Sequence, residues 1–148
     1  MKARNLASPQ PVVRIDAPAA KAAAVLARHD VRAVLVVDDA EAFVGVLSDS
    51  ELLRALLPPY VDQASILARV LEEGAADVLF RRLEGKSVTD VMPKDREVEP
   101  VIQGEDTLVE VASVMVRARA SALGVLEDGR LIGGITIDDL LTHLLARR

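Results

Sequence analysis

Residues 33–53, AVLVVDDAEAFVGVLSDSELL, and residues 122–141, ALGVLEDGRLIGGITIDDLL, carry one pattern twice in a single chain. Each opens on an apolar run rich in β-branched residues and passes an acidic turn, Asp38-Asp39 in one and Glu127-Asp128-Gly129 in the other. Each then enters a second short apolar run containing glycine and closes on a polar helix-start signal followed by apolar residues at helical spacing. Strand, hairpin turn, strand, helix is the order this predicts for both.

The match extends outward from these stretches. Leu108, Val111, Ala112 and Met115 fall at i, i+3, i+4 and i+7, the stripe of an amphipathic helix, and Ala19, Ala22, Ala23 and Leu26 repeat it 89 residues earlier. At the other end, Leu52, Leu53, Leu56 and Leu57 recur as Leu140, Leu141, Leu144 and Leu145, shifted by 88. The change of offset places a one-residue difference in the hairpin turn, where length variation costs least. Each half therefore reads β-α-β-β-α. Half a chain this short does not cover both sheet faces alone, so the two are expected to pack face to face across a pseudo-two-fold axis. The fold class expected is α/β (α+β), with residues 1–57 as the first repeat, 58–98 as a helical linker and 99–148 as the second repeat. In the linker, Pro58-Pro59 stops the preceding helix. Ile66, Leu67, Val70 and Leu71, then Val78, Leu79 and Leu83, give a helical pattern interrupted at Gly74. Gly85 suits a C-cap, and Ser87 a cap on a short helical turn ending before Pro93.

Composition narrows the function. The 148 residues are 51% apolar and 28% charged, with a net charge of −5 and no cysteine. Structural disulfides and thiolate metal sites are excluded, and a reducing cytoplasmic compartment is the expected home. An acidic chain with only 2% aromatic residues lacks both the basic face and the stacking platforms of a nucleic-acid binder. The apolar runs are too short to span a membrane, and MKARNLASPQ lacks the apolar core of a signal peptide. His29 and His143, the only histidines, fall near predicted helix ends, where capping is their expected role. Gly85-Lys86-Ser87 imitates the end of a phosphate-binding loop, but Phe80 stands where that loop needs glycine. No nucleophile elbow and no spaced carboxylates of a metal loop occur, so no catalytic or metal residue is assigned, and a binder rather than an enzyme is expected.

At GVLSDSEL (45–52) and GGITIDDL (133–140) the chain resembles a tandem pair of cystathionine-β-synthase (CBS) domains, also called a Bateman module. The family signature is Gly, two apolar residues, Thr or Ser, two variable residues, then Asp, at the start of the last helix. The resemblance implies a regulatory module that binds AMP, ADP, ATP, NAD or S-adenosylmethionine, with the hydroxyl and carboxylate holding phosphate and ribose. Carried over by position, Thr136 and Asp139 match fully in the second repeat. Ser48 matches in the first, but Glu51 stands where Asp is usual, with Asp49 as the alternative carboxylate. Arg32 stands just before the core strand, where some relatives place a basic phosphate ligand, and Ser121 is its counterpart, so the two sites should differ in charge preference. No cofactor is implied beyond the regulatory adenine nucleotide.

The residues alone support this reading and a plainer one. A strand-to-helix junction presents free N–H groups and the positive end of the helix dipole to phosphate, and a carboxylate can accept from both ribose hydroxyls. However, Ser48-x-x-Glu51 is also a helix capping box and Thr136-x-x-Asp139 a near variant. Two functions follow: a free-standing, cytoplasmic nucleotide sensor signalling to an effector protein, or a ligand-free dimerisation and protein-interaction module. In either case the leucine stripes of the terminal helices are wider than one small sheet needs, which predicts a disk-like homodimer.

Overall fold

The computed structural model describes residues 1–57 and 75–146. A short helix α1 (Ala3–Leu6) leads into β1 (Val12–Arg14), α2 (Ala19–His29), β2 (Ala33–Val37), β3 (Phe43–Ser48) and α3 (Asp49–Leu56). Beyond the undescribed stretch come α4 (Ala75–Glu84) and α5 (Val88–Val91). The second β-α-β-β-α unit follows as β4 (Val101–Gln103), α6 (Leu108–Ala118), β5 (Ala122–Glu127), β6 (Arg130–Thr136) and α7 (Ile137–Ala146). The expected helix through Ile66, Leu67, Val70 and Leu71, its stop at Pro58-Pro59 and its interruption at Gly74 lie outside the described residues.

Each unit forms one three-stranded sheet, ordered β1-β2-β3 and β4-β5-β6. The first pair in each is parallel and the second antiparallel, with Val13 opposite Val36 and Ile102 opposite Val125. Parallel strands need a crossover, and α2 and α6 supply it. The central strand β2 is buried along its whole length. Its side chains alternate between two layers: Val34 and Val36 pack under the helices with Leu26, Leu47 and Leu52, while Ala33 and Leu35 face the other sheet with Val46 and Ala122. The sheets therefore meet face to face. Phe43 fills this layer against β5 because Gly124 has no side chain; a Cβ there would lie 2.5 Å from the Phe43 ring.

The hairpins differ as the offset requires. In β5–β6 the turn is two residues, Asp128 (φ 51°) and Gly129 (φ 76°), both in the left-handed region that a type I′ turn demands. In β2–β3 the loop is longer. Asp38 Oδ1 accepts from the N–H groups of Ala40 and Ala42, and Glu41 takes a positive φ of 64°.

Helix α1, absent from the sequence reading, exchanges places with α5. Ala3 belongs to the second repeat's core beside Ile102 and Val111, whereas Val88 and Val91 belong to the first repeat's core. The backbone bonds correspond one to one: Ala3 N–H to Asp106 and Arg4 N–H to Gly104, Val88 N–H to Ala17 and Thr89 N–H to Ile15. Each repeat is thus closed by a leading helix that precedes the other repeat in sequence. Helix α4 breaks the symmetry. Its Leu79 and Leu83 pack on the first repeat's core, so Leu56 is only 5% exposed while its counterpart Leu144 is 50% exposed.

Candidate functional site

Both signature segments close as capping boxes. Ser48 Oγ accepts from the Glu51 N–H at 3.2 Å, and Glu51 Oε1 accepts from the Ser48 N–H at 3.0 Å. In the second repeat Thr136 Oγ1 accepts from the Asp139 N–H and Asp139 Oδ2 from the Thr136 N–H, both at 3.0 Å. The box alone is no mark of a ligand site, since Ser87–Asp90 and Thr107–Glu110 form it too. What separates the first two is position: each joins an edge strand to the helix that follows, β3 to α3 and β6 to α7. At both junctions the first helical N–H reaches back to the residue before the central strand, Asp49 to the Arg32 carbonyl and Ile137 to the Ser121 carbonyl.

A cleft of about 720 Å³ opens at the first junction. One face of α3 with its N-cap (Ser48, Glu51, Arg54) forms one wall, the segment after α5 the second, and Arg117–Arg119 at the end of α6 the third. The cleft therefore lies between the repeats. Of the residues singled out from the sequence, Ser48 and Glu51 line it. Asp49 and Arg32 are exposed and lie outside its lining, and Asp49 bonds the neighbouring Ser50 N–H instead. Thr136 and Asp139, both half-buried, sit at the corresponding junction of the other repeat.

The residue that dominates the cleft is one the sequence reading missed. Arg96, its side chain 8% exposed, donates to both carboxylate oxygens of Glu51 at 2.9 and 2.7 Å. It also donates to the Val46 carbonyl at 3.1 Å and, across the repeat boundary, to the Ala118 carbonyl at 2.6 Å. A planar guanidinium suits such a buried, multiply bonded seat better than an ammonium. The signal was a difference of loop length: eight residues (93–100) precede β4, but only four (8–11) precede β1. At the second junction the shorter segment pairs by backbone, Ser8 and Gly134 exchanging bonds of 3.0 and 2.9 Å. Gly133, at φ 156°, allows this approach, since a Cβ would meet the Ser8 carbonyl at 2.8 Å.

Near the cleft rim the Asp90 carboxyl is held below its ordinary value, first by the Ser87 N–H, then by the Ser87 hydroxyl, with Lys86 and Lys94 adding to the effect. Among the described residues no cluster of His, Asp and Glu could hold a metal ion, and no helix is long and apolar enough to cross a membrane.

Two facing β-α-β-β-α units around such a cleft define a paired-repeat module. The CBS domain model matches residues 3–58 and 88–146, and the chain belongs to the CBS-domain family. It is 34% identical to a CBS domain-containing protein of unknown function from Kribbella flavida DSM 17836, over 98% of this chain and 99% of that one, with a TM-score of 0.80. CBSX2 of Arabidopsis thaliana in complex with AMP matches at 24% identity over 99% and 98% of the two chains, with a TM-score of 0.67. The CBS domain pair of protein MJ0100 in complex with 5′-methylthioadenosine and S-adenosyl-L-methionine matches at 18% identity over 100% and 98%, with a TM-score of 0.69. These last two share the fold. No curated protein matches the chain by sequence.

Proposed function

We propose that the protein is a regulatory CBS pair, not an enzyme, whose repeats (1–57 and 99–148, joined by 58–98) bind an adenosine-containing ligand between them. The observation that carries this reading is the inter-repeat cleft at the Ser48–Glu51 junction, about 720 Å³ and within the usual range for small-molecule sites. Fold neighbours holding AMP, or 5′-methylthioadenosine and S-adenosylmethionine, support the ligand class. Ligand contact is assigned to Thr136 and Asp139 in the second repeat and to Ser48 and Glu51 in the first, with Asp49 and Arg32 at the outer edge. Asp139 is the better ribose partner, because Oδ2 alone caps the helix while both Glu51 oxygens already bond Arg96. The module is read as cytoplasmic, passing its response to an effector protein or through a homodimer.

Calorimetric titration of nucleotide-stripped protein with AMP, ADP, ATP, NAD and S-adenosylmethionine tests the reading. Micromolar binding of one of them is expected, and silence across the panel rejects it. Binding at the second junction is tested separately: Asp139→Ala is expected to weaken it about tenfold to a hundredfold, the worth of a carboxylate hydrogen bond, and Glu51→Ala much less.

A second reading has its own observation. Leu53, Leu141, Leu144 and Leu145 are exposed, and all signature side chains are engaged as caps, as a ligand-free dimerisation module requires. Under that reading sedimentation gives twice 15.9 kDa while the nucleotide panel stays silent.

A further inference from the structure

We propose that Arg96 is a latch between the repeats, opened when a ligand at the first junction takes the acceptors that Arg96 holds. This deepens the adenosine reading by naming how that site is regulated, and it rests on that reading for the ligand alone. One guanidinium makes four bonds. Its Nη2 donates to both Glu51 oxygens and to the Val46 carbonyl, all in the first repeat. Its Nη1 donates to the Ala118 carbonyl of the second repeat. Both nitrogens belong to one rigid plane, so a guanidinium displaced from Glu51 leaves Ala118 as well.

Little else holds the chain around Arg96. Among the described residues, no backbone N–H or C=O of residues 93–98 is hydrogen-bonded, and Lys94, Asp95 and Glu97 are exposed. The segment is pinned at its ends instead, by Met92 on the first repeat's core and Val98 on the second's. The second junction is built differently. There the carbonyl equivalent to Val46 belongs to Gly134 and accepts from the Ser8 N–H, a backbone pair that opens only if the segment unpairs. At the first junction a side chain takes that place, and rotation about its own bonds releases it.

Both acceptors suit an adenosine compound. A ribose diol donates to a carboxylate and an adenine amino group to a carbonyl, so ligand and Arg96 compete for Glu51 and Val46. Release acts at the far end of the guanidinium. Ala118 is the last residue of α6 and is 1% exposed, so without Arg96 its carbonyl is a buried acceptor left unpaired. The last turn of α6, closed by the Arg119 and Ala120 N–H bonds to Val116 and Met115, then loosens. Occupancy of the first repeat's junction is thus felt in a helix of the second.

Arg96→Lys keeps a cation beside Glu51, but one ammonium does not span Glu51 and Ala118. Amide hydrogen exchange of the ligand-free proteins tests the link. The Arg119 and Ala120 amides are expected to exchange at least about tenfold faster in the variant, with Ser8 and Gly134 at the other junction unchanged. Unchanged exchange at Arg119 and Ala120 overturns the latch whatever binds. AMP, NAD and S-adenosylmethionine are then added to both proteins. The compound that binds is expected to speed the same two amides in the parent and to speed them no further in Arg96→Lys. It is also expected to bind the variant about threefold to tenfold tighter, the net worth of one lost competing hydrogen bond. A merely structural Arg96 gives slower exchange on binding and no gain in affinity, which overturns the latch and leaves the adenosine reading standing. The parent arm needs no variant, so a misfolded Arg96→Lys leaves that arm decisive. Silence of all three compounds on both proteins overturns the adenosine reading, and ligand-free exchange alone then decides the latch.

Discussion

The two signature junctions share a backbone and differ in what reaches them. At the second, the short segment before β1 lies along edge strand β6 and pairs through Ser8 and Gly134, a contact made of peptide groups only. At the first, Pro93 stands in the place of Ser8 and has no N–H to donate, and the longer segment sends in Arg96. The equivalent carbonyl, Val46, is therefore taken by a guanidinium instead of an amide, and Glu51 with it. A duplicated fold thus acquires two different junctions without altering its strands. The difference resides in the segments between repeats, which the internal symmetry leaves unconstrained. The helix layers repeat this lesson, because α4 covers α2 and α3 with Leu79 and Leu83, and Leu141, Leu144 and Leu145 on α7 remain exposed.

The covering helix gives the largest contrast. Leu56→Asp puts a charge into a core position that is 5% exposed and is expected to cost at least about 4 kcal/mol, a large share of the stability of a domain of this size. Leu144→Asp, at 50% exposure, is expected to stay within about 0.5 kcal/mol of the parent protein in thermal melts. Under the homodimer reading its effect appears in sedimentation, as a fall towards 15.9 kDa. If both variants unfold alike, the second helix layer is covered after all.

The junctions themselves can be compared next. Arg96→Ala leaves the Glu51 carboxylate, 16% exposed, without its buried partner, and a loss of about 3–5 kcal/mol is expected in denaturant unfolding. Asp139→Ala removes only a capping interaction, at about 1 kcal/mol. Similar losses would mean that Arg96 is dispensable to the first junction.

A smaller effect separates the hairpins. Gly129 meets the positive φ of its turn without strain, whereas Glu41 holds φ 64° with a side chain attached. Glu41→Gly is expected to be neutral to about 1 kcal/mol stabilising by chemical denaturation, since relief of strain competes with the entropy glycine adds to the unfolded chain. A clear destabilisation would show that the Glu41 side chain itself supports the turn.

The smallest effect distinguishes the exchanged leading helices by pH. Helix α5 is capped by Ser87 and Asp90, but at the corresponding place before α1 the Lys2 N–H donates to Asn5, which does not titrate. The folded-state pKa of Asp90 lies below its ordinary 3.8, so its contribution is complete above that value and is lost as pH falls through the lower, folded-state one. Acid below about pH 4 should loosen α5 before α1 in hydrogen exchange, and Asp90→Asn should remove the difference.

Much of the architecture was legible because it is written in local periodicity. The i, i+3, i+4, i+7 stripes of α2 and α6 and the β-branched runs of β2 and β5 appear where their spacing indicates, and the offset change falls in the hairpin. Ser48, Glu51, Thr136 and Asp139 were legible as pairs since a capping box joins residues three apart. Helix α1 was not, because four residues hold too few apolar positions to show a period, and its Ala3 is buried in a core built by residues about a hundred positions away. Arg96 was equally silent, since a charged residue in a loop reads as solvated surface until a carboxylate distant in sequence is folded against it.

What the sequence by itself determined is the pair of β-α-β-β-α units and the capping boxes at their junctions, since helix stripes, strand alternation and caps depend on neighbours within a few residues. Tertiary structure alone decided that α1 and α5 trade partners, that α4 shields one helix layer, and that Arg96 occupies one of two matching junctions. Those outcomes depend on contacts between residues far apart in the chain, where burial and desolvation, not local spacing, select which groups meet.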